Sequence, residues 1–475
     1  MSKFNGPKVE VGLTENLAGG QAYQLDEKME FATILLTSFL KDQFYRSENE
    51  TIDRIEALMK QIKDKKFLAK SAIYARTEFG MRSVSHLVAA KIISSISGQE
   101  WAKNFIDKVV YRPDDMTEIW SCYSKDNKKI ANSLKKGIAL AFQKFNEYNL
   151  AKYRGENKEY SLVDLANYCH PKANDAITKL MKGELKSTET WETKLTQAGQ
   201  KATNAEEKEE LKKEAWESLL KEKKLPYFAC LRNLRNIIEQ APDQIDNAIE
   251  ILTDKERIKK SLVLPFRFLT ALKEIAEMNS VNSKEVKKVL IALNTAIDIS
   301  VDNVPTFDGD TLVVLDTSGS MMGKPSEIGS LFSAILVKKN LADFMVFSND
   351  AKYINLNPAN STLTLAESIH FQAGGTNFHS IFQTANKKYD RIIILSDMQG
   401  WIGYDSPKKE YNKYKTKFAA SPKLFSFDLS GYGTLQFPEK DVYCLAGFSE
   451  KTFDIMKLLE QDKKALINKI EEIQL

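Results

Sequence analysis

The chain changes its repeat unit at one place, Asn303-Val-Pro-Thr-Phe-Asp-Gly-Asp310, and that change limits what it can fold into. Before it, apolar residues recur at helical spacing. Ser47-Glu-Asn-Glu50 reads as a capping box, followed by Ile52, Ile55, Leu58, Met59 and Ile62 on one face. Val286, Val289, Leu290, Leu293 and Ile297 form a similar stripe near the end of this region. Further amphipathic stretches fall at 27–43, 66–78, 83–96, 127–149, 172–182, 204–221, 226–239 and 264–277. Many short helices with short connections predict a stack of helical pairs; no strict repeat period is visible. After the break, β-branched and aromatic runs at 311–315, 344–347, 391–395, 424–429 and 442–445 are mostly separated by helical segments. That alternation predicts a doubly wound, mostly parallel, Rossmann-like α/β sheet. The expected division is 1–303 helical and 304–475 α/β.

On such a sheet, ligands gather outside the carboxyl ends of the strands. The run LVVLD ends in Asp316-Thr-Ser-Gly-Ser320, where alternate residues can turn toward one point. Asp316, Ser318 and Ser320 offer a carboxylate and two hydroxyls, with Gly319 expected to let the backbone bend. The loop Ala373-Gly-Gly-Thr-Asn377 adds Thr376, and the run RIIILS is followed by Asp397. Hard oxygen donors of this kind suit Mg²⁺, or Mn²⁺, with waters completing the shell; they do not suit zinc. A phosphatase of the haloacid-dehalogenase type would want a second Asp where Ser318 stands. No nucleophile–base set accompanies the carboxylates, and His379 reads as a surface or helix-start residue, so no catalytic function is expected.

Charge adds a second region. The chain has 68 basic and 64 acidic residues, a net charge of +4. Residues 1–300 carry a net +6 and 301–475 a net −2. The single segment 125–154 holds eight basic residues against Asp126 and Glu147, which accounts for the whole excess of the first part. A basic belt on a balanced scaffold is what contact with a phosphate backbone needs, although a lysine run taken alone is more often a solvated face. No apolar run is long enough to span a membrane, the first residues lack the apolar core of a secretory signal, and the four cysteines form no CxxC pair. A reduced cytoplasmic location is expected.

Two resemblances organise these observations. Asp316, Ser318 and Ser320, with Thr376 and Asp397 in later loops, resemble the metal-ion-dependent adhesion site of the von Willebrand factor A domain. That resemblance implies one divalent cation with a position open to a partner's carboxylate. Such a domain after a helical array is similar to the TROVE family, and within it to the Ro proteins. The similarity is carried by Ala18-Gly-Gly-Gln-Ala-Tyr-Gln-Leu-Asp26, by 42–58, by Phe79-Gly-Met-Arg82 with Ser85-His86, and by Lys152-Tyr153 followed by Tyr160-Ser-Leu-Val-Asp-Leu-Ala-Asn-Tyr-Cys-His-Pro-Lys172. Leu231-Arg-Asn-Leu234, Pro265-Phe266, Leu445-Ala-Gly-Phe448 and Phe453-Asp-Ile-Met456 continue it. The chain departs from the pattern in carrying Tyr160 for the usual Trp and one extra residue between Lys152 and Tyr160.

The resemblance implies a ring of HEAT-like helical repeats closed by the A domain. Small noncoding Y-like RNA would bind the outer surface, and single-stranded ends of misfolded RNA would enter the hole. Carried over, the family's RNA contacts correspond to Lys152, Arg154 and His170. With Lys128, Lys129, Lys135, Lys136 and Lys172 they make the expected RNA-binding set. The expectation is a monomeric, non-enzymatic RNA-binding protein, possible partners including a tethered exoribonuclease and a carboxylate-bearing protein at the metal. The rival is a metal-dependent scaffold whose helices dock proteins rather than RNA; a nuclease subunit is disfavoured.

Overall fold

The computed structural model describes residues 13–38, 47–126, 129–155, 158–185, 191–201, 203–261, 263, 265–278, 283–302, 304–403, 406–438, 442–445, 455–457, 459–460, 462 and 464–475. Two compact units result. One comprises Met1–Val84 with Val304–Gln474, and the other is essentially Ser85–Asn303.

The first unit is built on a six-stranded sheet. Its strands are β3 (Thr311–Asp316), β4 (Asp343–Phe347), β5 (Ala351–Tyr353), β6 (Arg391–Ser396), β7 (Lys423–Asp428) and β9 (Tyr443–Leu445). They lie in the order β5-β4-β3-β6-β7-β9, all parallel except the edge strand β5. The centre is β3 and β6, in register from Thr311 opposite Arg391 to Leu315 opposite Leu395, and every residue of both strands is buried. This explains their unbroken apolar runs: a parallel strand covered on both faces has no solvent side to alternate with. The chain leaves β3, passes through the helix Lys324–Asn340 to β4 on one side, and later returns to β6 on the other. The crevice beyond the carboxyl ends of β3 and β6 is therefore the switch point where such sheets bind ligands.

The expected boundary at 303/304 does not coincide with the compact units, because the described residues up to Val84 group with the sheet domain. Strand β1 (Leu13–Glu15) pairs with β2 (Gln21–Gln24), and β2 pairs with β8 (Thr434–Leu435), joining the two ends of the sequence in one small antiparallel sheet. Gly431 (φ 71°) lies where the helix Glu27–Thr37 approaches: a Cβ there would sit 2.2 Å from Thr37 Oγ1. Lys28 bridges Asp64 at 2.9 Å and Glu471 at 2.7 Å, and the Arg54 guanidinium donates to both Glu30 oxygens. The capping box at Ser47 forms as expected, opening the helix Glu48–Gln61.

Every described regular element of the second unit is a helix, from most of Ser83–Ile93 to Lys284–Val301. The stretch expected as one helix over 127–149 is two, Asn132–Phe142 and Glu147–Lys152, because Asn146 starts a new helix by accepting from the Asn149 N–H at 2.9 Å. Likewise 226–239 divides at Asn233 into Tyr227–Arg232 and Leu234–Gln240. Asn233 is buried and its amide donates to the Ala229 carbonyl, whereas Arg232 is exposed. His86 is buried against Asp115, 2.9 Å from Nε2 to Oδ1.

Candidate functional site

Beyond the ends of β3 and β6, five sequence-singled residues lie in adjoining loops. Asp316, Ser318, Ser320, Thr376 and Asp397 are all at most 5% exposed. Asp316 ends β3, and a short 3-10 turn, Gly319–Met321, carries Ser320. The loop bearing Thr376 is zipped onto this turn: Ser318 and Gly374 form a parallel bridge, Gly319 N donates to Gly374 O at 3.0 Å, and Ala373 N donates to Thr317 O. Asp397 follows β6 directly. Gly319 itself has room for a Cβ, with its nearest neighbour 3.5 Å away, so the bend does not require glycine. The tight positions are Gly374 and Gly375, where a Cβ would meet Asn349 and Trp401 at 2.9 and 2.6 Å.

The hydrogen bonds hold the oxygens in place. Asp316 Oδ1 accepts from Ser318 N at 2.9 Å and Oδ2 from Ser396 Oγ at 2.6 Å. Ser318 and Ser320 hydroxyls are 3.3 Å apart. Asp397 Oδ1 accepts from Gln399 N, while Asp397 Oδ2 is buried with no hydrogen-bond partner. Burial raises the pKa of Asp316. Burial and then the charge of Asp316 raise that of Asp397. Two buried carboxyls, both raised by burial and Asp397 also by the charge of Asp316, leave the orphaned Asp397 oxygen uncompensated as they stand. A divalent cation among these oxygens would remove both costs, so the donor set fits a hard ion. The set contains two carboxylates and three hydroxyls; among the described residues no three His, Cys, Asp or Glu side chains cluster as a metal site.

Sequence reasoning missed Ser396 and Gln399. Ser396 orients Asp316, and Gln399 donates to the Asp397 carbonyl and accepts from Leu17 N at 2.8 Å. Met398, between them, is buried at φ 61°, a left-handed conformation unusual for a long side chain. Only the immediate neighbourhood of Asp397 could have suggested them. His379 is half-buried in the first turn of the helix Phe378–Thr384, against Gly403, in keeping with a helix-start residue.

The expected RNA residues divide in the helical unit. Lys129, Lys136, His170 and Lys172 are exposed, while Lys135 and Lys152 are half-exposed. Lys128 lies outside the described residues. His170 closes the helix Leu162–Cys169 in a left-handed conformation (φ 51°), its N–H donating to Ala166 O. The helix Asn132–Phe142 runs beside it: Lys135 is near enough to Cys169 to influence its thiol, and Gln143 Nε2 donates to Lys172 O at 2.8 Å. Lys135, His170 and Lys172 thus come from two segments brought side by side. Arg154 behaves differently, donating to the Leu185 carbonyl at 2.5 Å as a brace. Lys144, also in the belt, is turned inward onto the Val110 carbonyl and Asp107.

The chain is thus a two-part protein: one unit of many helices and one α/β sheet unit with oxygen donors at its switch point. A TROVE domain model matches residues 40–208 and 176–299. The chain belongs to the TROVE-domain family. Among curated proteins it is 23% identical over 381 residues to the "RNA-binding protein RO60" of Deinococcus radiodurans, covering 68% of this chain and 70% of that protein. It is 24% identical over 225 residues to the Caenorhabditis elegans "RNA-binding protein RO60", spanning 34% of its length. With the mouse "Telomerase protein component 1" it shares 20% identity over 305 residues, 11% of that protein. The crystal structure of the Deinococcus radiodurans RO (RSR) protein has the same fold, with a TM-score of 0.56 at 17% identity, covering 85% of this chain and 93% of that one. No helix among the described residues is long and apolar enough to cross a membrane.

Proposed function

We propose that this chain binds small structured, Y-like RNA through Lys129, Lys135, Lys136, Lys152, His170 and Lys172, and that it serves RNA scaffolding or quality control without catalysis of its own. The observation that carries the reading is the side-by-side placement of the lysine helix Asn132–Phe142 and the exposed loop that begins at His170. Lysines there would meet phosphates, and an exposed imidazole on a fixed cap would meet an unpaired base. The similarity to the Deinococcus and worm RNA-binding proteins supports RNA as the ligand. Entry of single-stranded ends into a HEAT-like ring, a cytoplasmic location and a tethered exoribonuclease belong to the same proposal. Purification from the host with nuclease inhibitors, followed by sequencing of bound RNA, tests it. A discrete small RNA is expected; absence of RNA together with no gel shift of a tailed, structured RNA sinks the reading.

A second reading has its own observation. The buried pair Asp316 and Asp397, with an orphaned carboxylate oxygen, supports a von Willebrand-type site holding Mg²⁺ or Mn²⁺ and capturing a carboxylate-bearing protein. Asp316 and Asp397 would supply the charge, and Ser318, Ser320 and Thr376 neutral oxygens; the ion would supply Lewis acidity toward the partner's carboxylate. Asp316→Ala separates the readings: it abolishes partner capture and leaves RNA affinity unchanged.

A further inference from the structure

The helical unit opens a cavity of about 640 Å³ whose walls carry Lys108, Tyr111, Arg112, Lys144, Asn149 and Tyr153. That volume falls in the roughly 300–1,000 Å³ range of small-ligand sites. The cavity reaches Tyr153, which adjoins Lys152 in the chain, so it borders the lysine-rich face.

Its most ordered feature is a flat cation. Arg112 Nε and Nη2 donate to the two oxygens of Asp114 at 2.9 and 2.5 Å, and the guanidinium lies 4.9 Å over the Tyr153 ring. The backbone is fixed as well: Asp115 Oδ2 accepts from both Tyr111 N and Arg112 N, while its Oδ1 pairs with buried His86. Tyr111, on that anchored backbone, is 60% exposed. An exposed aromatic ring and a guanidinium held in plane, both lining one cavity, offer flat surfaces on which a planar group can stack.

Charge decides what that group is. Arg112 faces Asp114, and Lys144 lies 3.1 Å from Asp107, so these two cations are already compensated and a free small anion gains little from them. Stacking needs a polarisable plane rather than net charge, and survives the compensation. We propose that this cavity receives one unpaired base of a single-stranded RNA segment, stacked at Tyr111 and Arg112 with the Asn149 amide available to its edge. The inference rests on the RNA reading and names a place for unpaired nucleotides outside the His170 face.

The test uses the full chain with a short single-stranded oligoribonucleotide containing 4-thiouridine. Tyr111→Ala removes an exposed ring and leaves the fold intact by circular dichroism; Arg112→Lys keeps the charge and removes the plane. Each is expected to weaken binding by about tenfold, within the range of one lost base stack, with the salt dependence unchanged because no phosphate contact is lost. Photo-crosslinks should map to the peptide containing Tyr111. Binding that is unaltered in both variants, or crosslinks confined to other peptides, overturns the pocket alone. No RNA binding by the unmodified protein overturns the pocket and the RNA reading together.

Discussion

The Asn16 side-chain amide donates to the Gly400 carbonyl at 2.6 Å, joining residues 384 positions apart. The same turn brings Leu17 N to Gln399 Oε1, and packs Gly20 so closely that a Cβ would lie 2.0 Å from Gly400 O. A turn near the start of the chain thereby clamps the loop that begins at Asp397. Asn16→Ala is expected to loosen that loop and weaken Mn²⁺ binding by roughly fivefold, the equivalent of one net hydrogen bond of about 1 kcal/mol. Isothermal titration with Mn²⁺ reads it; unchanged affinity would show the clamp to be irrelevant to the ion.

The pH dependence of the proposed metal site has a definite sign. Asp316 and Asp397 are both raised above the ordinary carboxylate range, chiefly by burial. In the window between the ordinary value and the raised ones, the folded metal-free protein binds more protons than the unfolded chain, so this pair's contribution to stability falls as pH rises. A divalent cation binds only the ionised pair and reverses the loss. The Mg²⁺-induced rise in Tm should therefore be small near about pH 5 and larger near about pH 8. Equal shifts at both ends of that range, measured by calorimetry, would contradict the assignment.

Lys136 and Arg154 should separate affinity from stability. Lys136 is exposed on the helix facing the His170 loop, whereas Arg154 braces Leu185. Reversing Lys135, Lys136 and Lys152 to Glu is expected to lower RNA affinity and reduce the slope of log K against log salt by roughly 0.7–0.9 per lost phosphate contact. Arg154→Ala should instead lower the urea midpoint by an amount worth about 1–2 kcal/mol while leaving the salt slope alone. A change of salt slope in Arg154→Ala would return that residue to the RNA contacts.

Gly137 sets the distance between the helices Ala102–Val109 and Asn132–Phe142. A Cβ there would sit 2.4 Å from Ile106 Cβ and 2.9 Å from the Lys103 carbonyl. Gly137→Ala should destabilise the helical unit by about 1–3 kcal/mol through overpacking, even though alanine is the better helix former. Chemical denaturation checks it, and a stabilised variant would mean the two helices part without cost.

Much of this molecule was legible in its residues because periodicity and end signals are local. The buried strands β3 and β6 announced themselves as unbroken β-branched runs, the Ser47 capping box as four consecutive residues, and the metal candidates as oxygen donors at strand ends. The helix Pro113–Asp126 was not legible, because it buries Asp114 and Asp115 among its apolar residues and so shows no clean stripe. The inward turn of Lys144 and Arg154 was equally hidden, since a lysine or arginine reads the same whether its partner is a phosphate or a carbonyl.

The sequence by itself determined the two kinds of architecture, the family, the five oxygen donors and the location of the basic excess. Tertiary structure alone decided that the described residues up to Val84 belong with the sheet, that Ser396 and Gln399 hold the carboxylates, and that Lys135 meets the His170 segment. The physical reason is one of range. Helix and strand patterns are written within a few residues, whereas a carboxylate's partner, a glycine's close approach and a lysine's neighbours are set by segments hundreds of positions away that only the folded chain brings together.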